Sequence, residues 1–328
     1  MRMGLIGFAE ETHLGNLLMT RNRHLRWERW PFAEADALWI NGQHAQPLRN
    51  HMIRVPSGHP NKPAAVLNMR EVDRPLAFTL PLGNGYLQPP ESFDPRNAAS
   101  VAAVLARFEE ALMPLAVSLA LAAELARRRH ELSSPTYHLT VDGALVAVVN
   151  VAGDIGLAPY LTPVLLQQAR WGGRPGAANV IPSGFETTSM ARVMWQYAMR
   201  GAEDLLPARY RSALIYFRRM PAMEPRMLRD AHLLVLSELR SGPQTLAQLR
   251  QGTGMVDAMI DPVLAALYFA GAITLDPARA ARGSTVQAPP EEWVTRPGHQ
   301  GEPIPPRPGR RPHSEMPTIP TPLRGEGR

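Results

Sequence analysis

Residues 94–129 read DPRNAASVAAVLARFEEALMPLAVSLALAAELARRR. This run decides the architecture, because its apolar spacing commits the chain to one long element. Asp94 stands where an N-cap belongs, and Pro95 stands at the first helical position. Val101, Val104, Leu105, Phe108, Leu112, Leu115, Leu119 and Ala122 then keep the three-and-four spacing of a buried stripe. The spacing predicts a helix to about Arg129, roughly 50 Å long at 1.5 Å per residue. Pro114 lacks an N–H and crowds the preceding turn, so it should kink or split the helix. Such a stripe suits a core, and it would equally serve as a homodimer seam through 95–129.

Upstream of that helix, residues 1–90 read as a small α/β sheet domain. Met3–Phe8 is a short apolar run, and Thr12–Arg23 places Leu14, Leu17 and Leu18 on one helical face. Leu25–Pro31, Asp36–Asn41, Ala64–Met69 and Pro75–Leu82 read as further strands, in a rhythm that predicts a partly parallel sheet. Pro89-Pro90 marks the boundary. The helical connection takes 91–135. Downstream, Thr136–Val141 and Ala144–Val151 flank Asp142-Gly143, a strong hairpin signal. Residues 136–228 read as a mixed α+β region, with a loop at Trp171–Gly176. Residues 229–283 read as a compact helical unit. The Pro- and Arg-rich 284–328 carry too few large apolar residues to order themselves, which predicts a disordered tail. The fold class expected is therefore α/β, with a long helix, a mixed middle and a helical C-terminal unit.

Composition narrows the chemistry. The 328 residues contain no cysteine, so disulfides, thiolate nucleophiles and Cys-ligated zinc are excluded. Lys62 is the only lysine; it stands in a His59–Pro63 loop, and no phosphate-binding G-x-x-x-x-G-K-[ST] motif occurs. The start of the sequence lacks the apolar core of a signal peptide, and no uncharged apolar stretch reaches about 18 residues. A cytoplasmic, non-membrane protein is the expectation. The net charge of +6 favours an anionic partner.

Catalytic signatures are missing. Gly4-Leu5-Ile6-Gly7 is not a dinucleotide fingerprint. Ile181-Pro182-Ser183-Gly184-Phe185 has Ile and Phe where a nucleophile elbow needs glycines. The histidines show no metal-binding spacing. No enzyme activity, cofactor or metal is therefore expected. Glu10 and Glu11 follow the first strand, and Ala35-Asp36-Ala37-Leu38-Trp39-Ile40-Asn41 forms a later one. In this, residues 3–82 resemble the receiver domain of response regulators, in which acids follow the first strand and the third ends in a phosphoaccepting Asp. The resemblance implies a degenerate receiver, because Asn41 stands at the acceptor position and an amide forms no acyl phosphate. The lysine expected after a late strand is also missing.

The segment Arg192–Arg229 concentrates the charge. Arg192, Arg200, Arg209, Arg211, Arg218, Arg219, Arg226 and Arg229 face only Glu203, Asp204 and Glu224. Trp195, Tyr197, Tyr210, Tyr216 and Phe217 are interleaved with them. Guanidinium forks bind phosphate or carboxylate bidentately, and rings offer stacking faces. Arg209, Arg211, Arg218, Arg219, Arg229 and Trp195 are the candidate ligand- or partner-binding residues. The plainer reading is a solvated basic face with its aromatics turned into the core. Extended backbone at Arg218-Arg219 would point one side chain outward and the other inward or toward an acid.

In the last ordered unit, Leu233, Leu236 and Leu239 line a first helix, and Ser241-Gly242-Pro243 ends it. Thr245 and Gln248 form a capping box for a second, which buries Leu246 and Leu249. A third carries Val256, Met259, Ile260, Val263, Leu264 and Leu267 inward, followed by a strand at Ala272–Leu275. This order resembles a winged-helix domain. That resemblance implies DNA binding, yet the expected outward set (Asp257, Ala258, Asp261, Pro262, Ala265, Ala266, Phe269) has no side chain suited to base edges. The expected function is thus a non-enzymatic regulatory or adaptor protein acting through a protein partner. The alternatives are a DNA-binding transcriptional regulator, or an effector holding a phosphorylated ligand such as a nucleotide through Arg192–Arg229.

Overall fold

In the computed structural model, which describes residues 1–8, 25–57, 63–83, 90–201 and 203–281, alternate side chains of one strand feed two cores. The first part of the chain supplies β1 (Arg2–Ile6), β2 (Glu28–Arg29), β3 (Ala37–Asn41), β4 (Gln46–Pro47), β5 (Met52–Val55), β6 (Ala65–Asn68), β7 (Leu76–Thr79) and β8 (Ser92–Phe93). Ala37 and Trp39 of β3 point to one face, Leu38 and Ile40 to the other, and all four are buried. A strand buried on both faces belongs in the middle of a parallel sheet. The order is β2-β1-β3-β7-β8 with every pairing parallel. Counted along its own strands this is the 2-1-3-4-5 order of doubly wound sheets. The described residues of the link from β3 to β7 contain no helix. An antiparallel sheet, β4-β5-β6, takes that place and covers one face through Ile53, Val55 and Leu67. The expected helix at Thr12–Arg23, the acids Glu10 and Glu11, and Lys62 lie outside the described residues.

The other face is covered by α1 (Ala98–Arg127), a single uninterrupted helix. Its start differs from expectation: Asn97, not Asp94, caps it, accepting from the N–H groups of Ala99 and Ser100 at 3.0 and 3.3 Å. Asp94 instead accepts from Arg96 N–H at 2.9 Å in the turn before. Pro114 does not split the helix. What changes there is the buried face. Val101, Val104, Leu105, Phe108 and Leu112 pack on the parallel sheet, with Trp27 and Phe108 rings 6.4 Å apart. Val117, Leu121, Ala122, Leu125 and Ala126 belong to a second core. At 100° per residue the two sets lie roughly a third of a turn apart, so the single stripe expected through Leu115 and Leu119 resolves into two. Both sets pack inside the chain.

The second core is built on an antiparallel sheet of β9 (Thr136–Val141), β10 (Ala144–Asn150), β11 (Asp154–Leu157), β12 (Arg170–Arg174) and β13 (Glu186–Ser189), ordered β12-β9-β10-β11-β13. Asp142 and Gly143 make the β9–β10 turn with φ of 49° and 82°, both positive as a type I′ hairpin requires. The loop expected at Trp171–Gly176 is largely strand β12, an edge strand on β9. Helix α2 (Pro163–Gln168) and helix α3 (Met190–Ala198), capped by Ser189, cover the sheet with the second half of α1.

The chain then forms β14 (Tyr216–Phe217), α4 (Asp230–Ser241), α5 (Leu246–Thr253), α6 (Asp257–Phe269) and β15 (Ile273–Thr274), with β14 antiparallel to β15. The Thr245–Gln248 capping box is present. The third helix departs from expectation. Val256 and Met259 are exposed, while Ala265 and Ala266, expected outside, are 2% and 0% exposed. The cause is α3, which packs against α6 and turns its small-residue face into core. Leu233 of α4 is likewise exposed, whereas Leu236 and Leu239 are buried. The described residues thus form a mixed α/β structure of several sheets and six α-helices, within the compact unit Met1–Val286. No helix among them is long and apolar enough to cross a membrane. Most of the expected tail, 284–328, lies beyond that unit, and all of it is outside the described residues.

Candidate functional site: an arginine cluster at the end of α6

The site begins with a helix stop. After Phe269 the chain turns at Gly271 with φ +63°. Gly271 N–H donates to Tyr268 O and Ala272 N–H to Leu267 O, both at 2.9 Å. Those two bonds are the Schellman closure, which needs a left-handed residue where glycine stands. Ala272 O then accepts from two successive donors, Arg218 N–H at 2.8 Å and Arg219 N–H at 3.3 Å. Two residues facing one is the pattern of a β-bulge, which bends a strand end and re-aims its side chains.

The expected divergence of Arg218 and Arg219 is therefore lost. Arg219 is exposed and Arg218 half-buried, but both reach Gly271. A Cβ placed on that glycine would lie 3.2 Å from Arg219 Nη2 and 3.5 Å from Arg218 Nη1, so the two guanidinium groups are within about 7 Å of each other. Below them Tyr210 packs edge-on against Tyr268, with centroids 5.3 Å apart. Burial is the main force raising the Tyr210 phenol pKa, with Tyr268 adding to it. Arg209, Arg279 and Arg218 pull the other way through their charge. Arg218 and Arg219 thus converge on one glycine, and the charges of Arg209, Arg279 and Arg218 act on the Tyr210 phenol. None of the four has a carboxylate within ion-pair distance among the described residues, whereas Arg192, Arg211, Arg226 and Arg250 all do.

The remaining candidates go elsewhere. Arg211 pairs with Asp204 at 2.7 Å and Asp261 at 3.0 Å, fastening the 204–211 loop to α6. Trp195 is 2% exposed and stacks on His232 with centroids 4.6 Å apart, so it presents no free face. Arg229 lines a separate cleft of about 450 Å³ between the first sheet and α3. Most charges there are already used. Arg200 grips Asp36 with two bonds of 2.6 and 3.0 Å, and Arg2 donates to Arg200 O at 2.8 Å while lying over Trp30. Arg279 was missed because it lies outside Arg192–Arg229, the segment in which the charge is concentrated. The signal was Asp276-Pro277: Asp276 caps the Pro277–Arg279 turn, and Ala281 N–H ties it to Phe217 O at 2.9 Å.

At the carboxyl ends of the parallel strands, Asn41 donates to Gly7 O at 2.9 Å and accepts from Gln43 N–H at 3.1 Å. Its amide knits two strand ends together. No group of three or more metal-ligating side chains occurs among the described residues. Set against models of known families, curated proteins and solved structures, the chain matches none.

Proposed function

We propose that this is a regulatory or adaptor protein that recognises a compact anion, a phosphate or phosphorylated ligand, through Arg218 and Arg219 with Arg209 and Arg279. The observation that carries the reading is the convergence of the first two on Gly271 with no acid among the described residues to neutralise them. Like charges held together at a surface repel, and a dianion offering several acceptors relieves that cost with charge-assisted bonds.

In this reading the C-terminal unit is winged-helix-like. The α4–α5–α6 order supports it, as does the bridge from Gln244, between α4 and α5, to Ile215 beside β14. The burial of α6 against α3 speaks against that helix entering a DNA groove. The N-terminal unit serves as a degenerate receiver-like scaffold, an idea favoured by its 2-1-3-4-5 strand order and by Asn41. A cytoplasmic setting goes with this reading.

The test is salt dependence. Retention of the full chain by nucleic acid should collapse between 50 and 200 mM salt if phosphate backbones are the natural partner. Affinity for a nucleoside triphosphate at the cluster should fall far less. A steep loss for the nucleotide, with tight and salt-sensitive DNA binding, would reverse the assignment.

A further inference from the structure

A second cavity, of about 530 Å³, opens between α1 and the β11–α2 segment, a size suited to a small ligand. Its walls carry Glu109, Glu110 and Glu186 and, among the described residues, no cationic side chain. Glu109 is the unusual member. It is only 6% exposed, and its Oε1 has no hydrogen-bond partner among the described residues; no arginine pairs with it there either. An unpaired buried carboxylate is costly, so natural proteins keep few of them away from sites where something binds.

The same wall lacks one helical hydrogen-bond donor. Pro114 lines the cavity beside Glu110, and a proline has no N–H for the carbonyl one turn earlier, which is that of Glu110. Met113, Leu157 and the ring of Tyr160, a residue 60% exposed, supply apolar and aromatic surface at the mouth. Carboxylates and an aromatic face are groups that hold organic cations.

We propose that this cavity binds a small organic cation, an ammonium or guanidinium on an apolar body, with Glu109 as its buried counter-ion. The cavity is independent of the arginine cluster, and its ligand has the opposite charge.

Calorimetric titration of the full chain with 4-phenylbutylamine, agmatine and the uncharged 4-phenylbutanol tests this. Both cations should bind at least tenfold more tightly than the alcohol. Glu109→Gln should weaken the cations at least tenfold and leave the alcohol unchanged, while raising the melting temperature of the ligand-free protein. Absence of cation binding, or equal binding by Glu109→Gln, overturns the proposal. Should Glu109→Gln fail to fold, Glu186→Gln and Tyr160→Ala carry the test from the rim. A severalfold loss in either supports the site, and unchanged affinity in both overturns it.

Discussion

Replacing Asp36 by Ala should be among the most damaging single changes in the protein. The carboxylate is held by both Nη atoms of Arg200 and by Arg2 N–H at 2.7 Å, with side-chain exposures of 9% for Asp36 and 16% for Arg200. Removing the acid leaves the Arg200 guanidinium buried without a counter-charge, close to that of Arg2. Breaking one side of a buried pair costs about 3–5 kcal/mol. At roughly 2–4 °C per kcal/mol for a domain of this size, the melting temperature should fall by about 10 °C. Because the pair joins the start of β3 to the segment after α3, early proteolysis should appear between the two sheets. Replacing both partners, as in Asp36→Leu with Arg200→Met, should recover much of the loss, since no orphan charge remains. A cost below about 1 kcal/mol for Asp36→Ala, measured by denaturant titration, would refute the claim that this pair acts as a buried latch.

Other outcomes follow from single groups. Burial, the largest influence on it, holds His232 at about 4 against 6.5 for a free histidine, and its Nδ1 accepts from Arg229 N–H at 3.0 Å. The unfolded chain gains this proton below about 6.5 and the folded one only near 4. The stability from keeping it neutral is therefore complete above 6.5 and falls toward pH 4, by about 3 kcal/mol, and His232→Phe should remove that part of the acid sensitivity. Asn41→Asp should cost about 1–2 kcal/mol by setting a carboxylate against Gly7 O, and mass spectrometry of the wild type after acetyl phosphate should find no adduct in 1–90. Gly271→Ala should destabilise by about 1 kcal/mol through its left-handed backbone and should also weaken anion binding, since the new Cβ crowds Arg219.

Much of the fold was legible in local chemistry. The Asp142-Gly143 turn, the Thr245–Gln248 box and the β3 and β7 segments needed only near neighbours in sequence. The unexpected features depend on distant packing. Nothing local distinguishes Ala265 and Ala266 as inward until α3 is laid across them. The α1 stripe divides because two different sheets claim the helix on either side of Pro114. Strand β12 hides behind Gly172 and Gly173, which read as loop residues, and takes its order from pairing with β9. For the site, the charge excess in Arg192–Arg229 singles out Arg209, Arg218 and Arg219 of the proposed cluster, while Arg279 lies outside that segment. Arg211 and Trp195 are claimed by Asp261 and His232 from far along the chain, while the bulge at Ala272 O brings Arg218 and Arg219 together.

The central claim is that Arg218 and Arg219 form an anion site, and calorimetric titration of the full chain with pyrophosphate tests it most directly. The account predicts saturable binding, with Arg218→Ala and Arg219→Ala each losing about 1.5–3 kcal/mol, the worth of a charged hydrogen bond and roughly a 10- to 100-fold change in affinity. Both variants should melt close to the wild type, because neither side chain has an ion-pair partner to lose among the described residues. Arg211→Ala, which gives up two ion pairs, should keep its affinity. Equal pyrophosphate affinity in the wild type, Arg218→Ala and Arg219→Ala would contradict the claim, as would a loss in Arg211→Ala as large as theirs.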